Sequence, residues 1–140
     1  MKVGDTHYRS IWFDTANDQV RIIDQRWLPH EFRIVSLVTL DEFATAIRDM
    51  WVRGAPLIGA TAAWALAEVM RRDPSTAALD HASETLAATR PTAVNLAWAI
   101  DRVRAHLLPR PDAERAAASA ALAAALCDED VEINRQIGAH

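Results

Sequence analysis

The sequence predicts an α+β fold in which a small antiparallel β-meander precedes a bundle of about five helices. Positions 8–38 hold runs of aromatic and β-branched residues separated by turn residues, which is typical of short strands. From residue 39 onward, apolar residues recur at helical spacing. Alanine occupies 28 of the 140 positions and glycine only four, which favours closely packed helices over sheet or disorder.

The first 38 residues are predicted to form a three-stranded meander. The strands are expected at residues 8–13, 19–27 and 32–38. A cluster of turn residues at 14–18 separates the first two strands, and Pro29 separates the last two. The core of the sheet is predicted to contain three aromatic residues, because aromatic stripes in strands are usually buried. These residues are Trp12, Trp27 and Phe32.

Residues 39–140 are predicted to form the helical bundle. Thr39, followed three positions later by Glu42, forms a capping box that should start the first helix. That helix is expected to lead directly into Arg53. The second helix is expected at residues 56–70 and should be buried on all sides, because positions 55–67 contain no charged residue. It is too short to span a membrane, which takes about 20 apolar residues.

Three further helices are predicted to complete the bundle. Asp73, directly before a proline, is expected to cap the third helix, and Thr92 is expected to cap the fourth. Two prolines at positions 109 and 111 make a stiff linker to the fifth helix. The fifth helix is expected at residues 112–137, with Gly138 as the residue that ends it.

An anion-binding site is predicted where the second helix begins, at Arg53-Gly54-Ala55-Pro56. The free N–H groups of a first helical turn and the helix dipole attract negative charge. Gly54 and Ala55 are small enough for a ligand to approach the backbone, and Arg53 adds a guanidinium fork. Arg90 stands in the same way before the fourth helix, so both arginines are predicted to converge on one phosphate. The alternative is that both are ordinary solvated residues.

The composition argues against several other classes of protein. A formal net charge of −4 argues against a nucleic-acid surface. The single cysteine, Cys127, cannot form an internal disulfide and indicates a reducing compartment. Residues 1–18 contain no apolar segment of the kind found in signal peptides. We therefore expect a cytoplasmic protein that binds neither nucleic acid nor a membrane.

No catalytic set and no metal site are predicted among these residues. His81 lies beside acidic residues on an expected solvated face, without a partner for catalysis. The acidic run at 128–132 has no His or Cys to complete a metal site at helical spacing. Cys127 precedes that run and is expected to be an unreactive packing residue. We therefore expect neither a metal nor a cofactor.

Five segments resemble, in order along the chain, the methylthioribose-1-phosphate isomerase family. They are Asp24-Gln25 with Leu28-Pro29, Ala46-Ile47 with Met50, residues 52–59, residues 90–96 and residues 134–140. The resemblance covers nearly the whole chain and is to the N-terminal domain of that family. Ribose-bisphosphate isomerases and the regulatory subunits of a translation initiation exchange factor share the pattern more loosely.

The resemblance implies an aldose–ketose isomerase of methionine salvage, which converts methylthioribose 1-phosphate to methylthioribulose 1-phosphate. The family uses a Cys and an Asp as acid–base groups, both in a Rossmann-like C-terminal domain that is absent here. Cys127 lies upstream of the motif that contains the family's Cys, so that role does not carry over to it. Four residues do match the family's phosphate-binding positions: Arg53, Gly54, Ala55 and Arg90.

The resemblance also implies that residues 1–140 are a fragment, a substrate-anchoring domain with the meander at 1–38 and the bundle at 39–140. We expect it to be inactive alone, to pack against the C-terminal catalytic domain of the same polypeptide, and to form a homodimer when full length. One alternative is a regulatory binding module like the translation-factor subunits. The two intact arginine motifs argue against this alternative. Others are an isomerase of a related deoxyribose or ribose phosphate, and a purely structural helical domain.

Overall fold

A sheet and a helical bundle follow each other along the chain, as the sequence predicts. The structure is a computed structural model that describes residues 2–3, 6–7 and 9–138, with side chains at residues 9–128. The strands are β1 (Lys2–Val3), β2 (Thr6–His7), β3 (Ile11–Asp14), β4 (Gln19–Ile23) and β5 (Ile34–Leu37). The helices are α1 (Leu40–Arg48), α2 (Ala55–Arg72), α3 (Thr76–Thr89), α4 (Val94–Leu107) and α5 (Asp112–Gly138). The predicted α+β fold is confirmed.

β3, β4 and β5 form the predicted antiparallel meander, and the short pair β1–β2 adds a hairpin that the sequence pattern did not reveal. The sheet buries the apolar residues Ile11, Val20, Ile22, Ile23 and Leu37. The prediction for Trp27 is wrong, because β4 ends at Ile23 and a 3₁₀ turn carries Trp27 outward, where it is 38% exposed. Trp12 and Phe32 are half-buried, and residue 8 lies outside the described residues.

α1 begins at the predicted capping box but ends earlier than expected. Glu42 N donates to Thr39 Oγ1 at 3.1 Å, and Thr39 N donates to Glu42 Oε1 at 3.0 Å. The helix ends at Arg48, and Met50 then adopts a left-handed conformation with a φ of 62°. α1 therefore does not run into residue 53, and a loop at residues 49–54 connects it to α2.

α2 is the central helix of the bundle. Every residue from 57 to 68 is buried, which confirms the prediction of a helix that is covered on all sides. Trp64 stacks on Phe13 of β3 with ring centroids 5.4 Å apart, so the helix also joins the sheet to the bundle. It begins one residue before the predicted start and ends at Arg72.

α3 and α4 both begin later than the sequence predicts. Ser75 caps α3, because its side chain accepts the N–H of Ala78 at 3.1 Å, while Asp73 accepts the N–H of Ser75 instead. Thr92 does not cap α4. The N–H of Ala93 donates to Arg90 O at 3.0 Å and closes a turn, so that the helix begins at Val94.

α5 begins at Asp112, as predicted, and a buried arginine ties its first turns to the neighbouring helices. Arg115 donates from Nε to Leu107 O at 3.2 Å, at the end of α4, and from Nη1 to Pro74 O at 3.1 Å, just after α2. Gly138 lies within the helix, not after it as predicted. Within the described residues, no helix has the length and apolar character needed to cross a membrane.

Candidate anion-binding site

The first two residues of α2 are exposed, and the helix start has no side-chain cap. Gly54 is its N-cap residue with a φ of 94°, a conformation that side-chain-bearing residues rarely adopt. Ala55 and Pro56 follow as the first two helical residues, and Arg53 to Pro56 are all exposed. The first N–H groups of a helix have no partner within it, so this end presents free donors and positive dipole to solvent.

The first turn of α4 is built in a similar way. Its N-cap residue, Ala93, has no side chain that could accept a hydrogen bond, and none is made there. Arg90 is the C-cap residue of α3 and is half-buried, three residues before the N-cap of α4. The turn between them therefore places the backbone of Arg90 close to a second uncapped helix start.

The two helix starts lie at the same end of the bundle. Gly59 of α2 packs against α4 so closely that a Cβ atom built on it would stand 3.4 Å from Asn95 O. At the opposite end, Arg115 bonds both to the carbonyl of Leu107 and to that of Pro74. α2 and α4 therefore run in the same direction, and their positive dipole ends point the same way.

Arg53 and Arg90 have side chains without a protein partner among the described residues, and so does Arg72. Most other arginines in that part of the chain are held in ion pairs, hydrogen bonds or ring contacts. Arg53 and Arg90 stand at the two helix starts, and Arg72 ends α2 at the other side of the bundle. The arrangement leaves two guanidinium groups available to an anion at one end of the molecule.

The loop that carries Arg53 is fixed from the sheet side. Gln25 N donates to Trp51 O at 2.8 Å, and the guanidinium of Arg26 lies over the ring of Trp51, 4.5 Å from its centroid. Arg26 also lies 5.6 Å from the ring of Trp27. The pairing of Gln25 with the loop that carries Trp51 could not be predicted from the spacing of residues in the sequence.

A buried carboxylate orients Arg26. Asp24 is 1% exposed, and it accepts from Arg26 Nη2 at 2.7 Å, from Arg26 Nε at 3.0 Å and from Trp27 Nε1 at 3.1 Å. Burial alone would raise the pKa of Asp24, but the hydrogen bonds and the charge of Arg26 outweigh it, so the pKa is lowered. The hydrogen bonds that Arg26 donates to Asp24 in turn raise the pKa of Arg26.

Among the described residues, no buried carboxylate is free to act in acid–base chemistry. The buried carboxylates Asp24 and Glu68 are both held by arginines. His81 is exposed, and Cys127 is buried with its Sγ 3.3 Å from Trp64 Nε1, as expected for a packing residue. No cluster of three metal-ligating residues occurs among the described residues. Chemically, this end of the bundle can hold an anion such as phosphate.

Sequence comparison places these features in a known family. The sequence model of the initiation factor 2 subunit family matches residues 51–140. The methylthioribose-1-phosphate isomerase of Cereibacter sphaeroides is 63% identical over 140 residues, and that of Brucella anthropi is 58% identical over 140 residues. Both matches cover 100% of this chain but only 38% of the relative's length.

Two solved structures share the fold. The 5-methylthioribose 1-phosphate isomerase of Pyrococcus horikoshii superimposes with a TM-score of 0.79 at 37% identity, over 89% of this chain and 37% of that one. The translation initiation factor eIF-2B, subunit delta, of A. fulgidus superimposes with a TM-score of 0.81 at 34% identity, over 90% of this chain and 38% of that one. The backbone is therefore equally close to an isomerase and to a translation factor.

Proposed function

Because the chain belongs to the initiation factor 2 subunit family, we propose that it is the phosphate-anchoring part of a sugar-phosphate aldose–ketose isomerase. The proposed reaction of the full-length protein is the conversion of methylthioribose 1-phosphate to methylthioribulose 1-phosphate. The names and the 51–63% identities of the curated relatives support this substrate over a ribose or deoxyribose phosphate.

The observation that carries the proposal is the pair of uncapped helix starts, each with an unpartnered arginine, at one end of the bundle. A phosphate dianion placed there would accept hydrogen bonds from backbone N–H groups and from Arg53 and Arg90. Gly54 and Ala55 would let it approach the α2 backbone, since a Cβ built on Gly54 meets no atom within 4 Å.

Holding the phosphate also places the reacting carbons. In the proposed reaction the bond between C1 and the ring oxygen breaks, a hydrogen leaves C2, and one is added at C1, the carbon that bears the phosphate ester. The C2 hydroxyl becomes the ketone, and its proton passes to the former ring oxygen. C1 is one bond away from the phosphate group and C2 is two bonds away. A phosphate held by two arginines therefore restricts the positions of both carbons, which reduces the entropic part of the barrier. The acid–base groups are proposed to come from residues outside this chain, because the family resemblance implies that both belong to the C-terminal domain.

The test is an assay of the full-length protein that contains this chain. Methylthioribulose 1-phosphate should form from methylthioribose 1-phosphate, and Arg53→Ala should raise KM roughly 10- to 150-fold, as expected for the loss of one charge-assisted contact. Arg72→Ala is the matched control, because that arginine is also exposed and unpartnered but ends α2 at the other side. Equal kinetics in the two variants would remove Arg53 from the site.

A regulatory binding module is the second candidate, because the fold superimposes on the translation-factor subunit as well as on the isomerase. Absence of turnover with methylthioribose 1-phosphate, ribose 1,5-bisphosphate and deoxyribose 1-phosphate would favour it. The homodimer and the cytoplasmic location that the sequence suggests stay predictions, as does the inactivity of the isolated 140-residue chain.

A further inference from the structure

Two large apolar side chains stand exposed at the start of α4. Val94, its first residue, is 78% exposed, and Trp98, one turn later, is 53% exposed. Residues four apart lie on one side of a helix, and the exposed Ala97 lies beside them. We call these three residues the Trp98 face. Single exposed apolar side chains are ordinary, but an adjacent pair beside a ligand site is a feature of interaction surfaces.

The described part of the chain does not cover the Trp98 face. α4 already buries its other side, with Leu96, Ile100 and Val103 in the core of the bundle. The guanidinium of Arg102 lies 5.2 Å from the Trp98 ring centroid, along the same side of the helix, and Trp98 is still 53% exposed. Any group that covers this face therefore comes from outside the described residues.

The polypeptide leaves α5 at the same end of the bundle. α5 runs antiparallel to α2, because Ala116 lies beside Arg71 in one cleft while Cys127 contacts Trp64 farther along. Both helices rise by the same distance per residue, so Ala55 at the start of α2 is level with about residues 132–136 of α5. Gly138, the last residue of α5, thus lies near the level of the two helix starts.

We propose that the Trp98 face is the surface on which the part of the polypeptide that follows α5 in the full-length protein packs. The curated relatives extend well beyond the matched region, which is 38% of their length. Such packing would cover the open side of the anion site and exclude water from Arg53 and Arg90. The inference rests on the proposed function only for the identity of that site, since the docking itself involves no turnover.

Two groups could cover the Trp98 face: the polypeptide that follows α5, or a second copy of the chain. The first is favoured because it is covalently attached to α5. A segment that starts at the end of α5 reaches the Trp98 face at an effective concentration in the millimolar range. A second copy would have to compete from its free concentration in solution. Docking within one polypeptide is therefore favoured at ordinary protein concentrations.

Hydroxyl-radical footprinting of the unmodified full-length protein tests whether the face is covered. Three tryptophans of the same chain supply the scale: buried Trp64 at 7% exposure, Trp27 at 38% and Trp98 at 53%. The oxidation rate of each tryptophan is divided by its rate in the denatured protein. On this normalised scale, Trp98 is expected to react more slowly than Trp27. A Trp98 rate at or above that of Trp27 would show an uncovered face and overturn the proposal.

A photo-crosslinking amino acid, p-benzoylphenylalanine, at position 94 identifies the occupant. A cross-link within one polypeptide, to residues beyond 138, is the expected result. A product of twice the mass, or no protein cross-link at all, would contradict the proposal. Leu108, 40% exposed at the other end of α4, is the control position and should give no cross-link to that segment. Neither readout needs isomerase activity, so a failed substrate assay leaves this test intact.

Discussion

Gly59 of α2 faces the carbonyl oxygen of Asn95 in α4, with room for a hydrogen atom but little for a methyl group. A Cβ built on Gly59 would lie 3.4 Å from Asn95 O and 3.3 Å from the Cβ of Ala99. The contact with the Cβ of Ala99 is tight, and that with Asn95 O is at the lower limit of ordinary van der Waals contact. Neither neighbour can rotate away, because one is a backbone atom and the other is bonded directly to the backbone. This close approach sets the spacing of the two helix starts that form the candidate site.

Replacing Gly59 by alanine should therefore cost stability although alanine is the better helix former. The gain in helix propensity is about 1 kcal/mol, whereas overpacking a close contact costs about 1–3 kcal/mol. We expect a net loss of about 1 kcal/mol in the free energy of unfolding, measured by urea denaturation, and a larger loss for Gly59→Val. A stabilised Gly59→Ala variant would show that α4 yields easily and that the spacing is not tight.

Gly54 should respond to substitution for the opposite reason. A Cβ there meets open space, but the φ of 94° is strained for any L-residue with a side chain. Gly54→Ala should cost about 1–3 kcal/mol of stability, or relax the loop and move Arg53, which would raise KM. Ala55→Gly, one residue later, is the control for altered size at the same helix start. Unchanged stability together with unchanged KM in Gly54→Ala would contradict the role given to this glycine.

The starts of α1 and α2 could be predicted from sequence because helix starts leave local signals. The capping box at Thr39 and the glycine–proline pattern at Gly54 depend only on residues a few positions apart, and both are present in the structure. The cap of α4 could not be predicted. Threonine is a preferred N-cap residue, but the hydrogen bond between Ala93 N and Arg90 O closes a turn there, and Thr92 does not cap the helix. Local propensity does not include that competing hydrogen bond.

Features that depend on distant parts of the chain were missed. The contact of Arg26 with Trp51 joins residues 25 positions apart, and the alternation within β4 gave no sign that the chain would turn outward at Asp24. The parallel course of α2 and α4 follows from Gly59 at one end and Arg115 at the other. Such contacts are set by the packing of the whole bundle, which no single stretch of sequence encodes.

Arg26→Ala should weaken substrate binding without changing the chemical step. The substitution removes the cation that rests on Trp51, two residues before Arg53, and leaves the buried carboxylate of Asp24 without its arginine. We expect KM to rise severalfold while kcat stays within about twofold, because a mobile phosphate anchor affects binding first.

Arg33→Ala is the matched control for this variant. Arg33 lies over the ring of Trp27, 3.9 Å from its centroid, and pairs with exposed Glu31, but it is not found over Trp51. Its KM should stay at the wild-type value. If both variants raise KM equally, the effect comes from the aromatic stack as a whole and not from the loop that carries Arg53.

The pKa of Asp24 predicts an acid-sensitive element. Because the pKa is lower in the folded protein than in the unfolded chain, where it is about 3.9, its stabilising contribution is fully present above about pH 4. The contribution is lost as the pH falls through the folded pKa. Urea midpoints measured from pH 6 to pH 2.5 should fall more steeply for wild type than for Asp24→Asn. Parallel curves would show that this carboxylate does not contribute.

Arg53 and Arg90 should behave as two ligands of one group, and a double-mutant cycle measures this. Each alanine variant alone should cost about 1.5–3 kcal/mol in kcat/KM, because a charge-assisted contact to phosphate is lost. If both contact the same phosphate, the double variant should cost less than the sum of the two, by more than the roughly 0.5 kcal/mol allowed for independent sites. The pair Arg53→Ala with Arg72→Ala is the reference cycle, and its effects should add. Strict additivity for Arg53 and Arg90 would mean that the two helix starts bind separate groups or that only one of them meets the substrate.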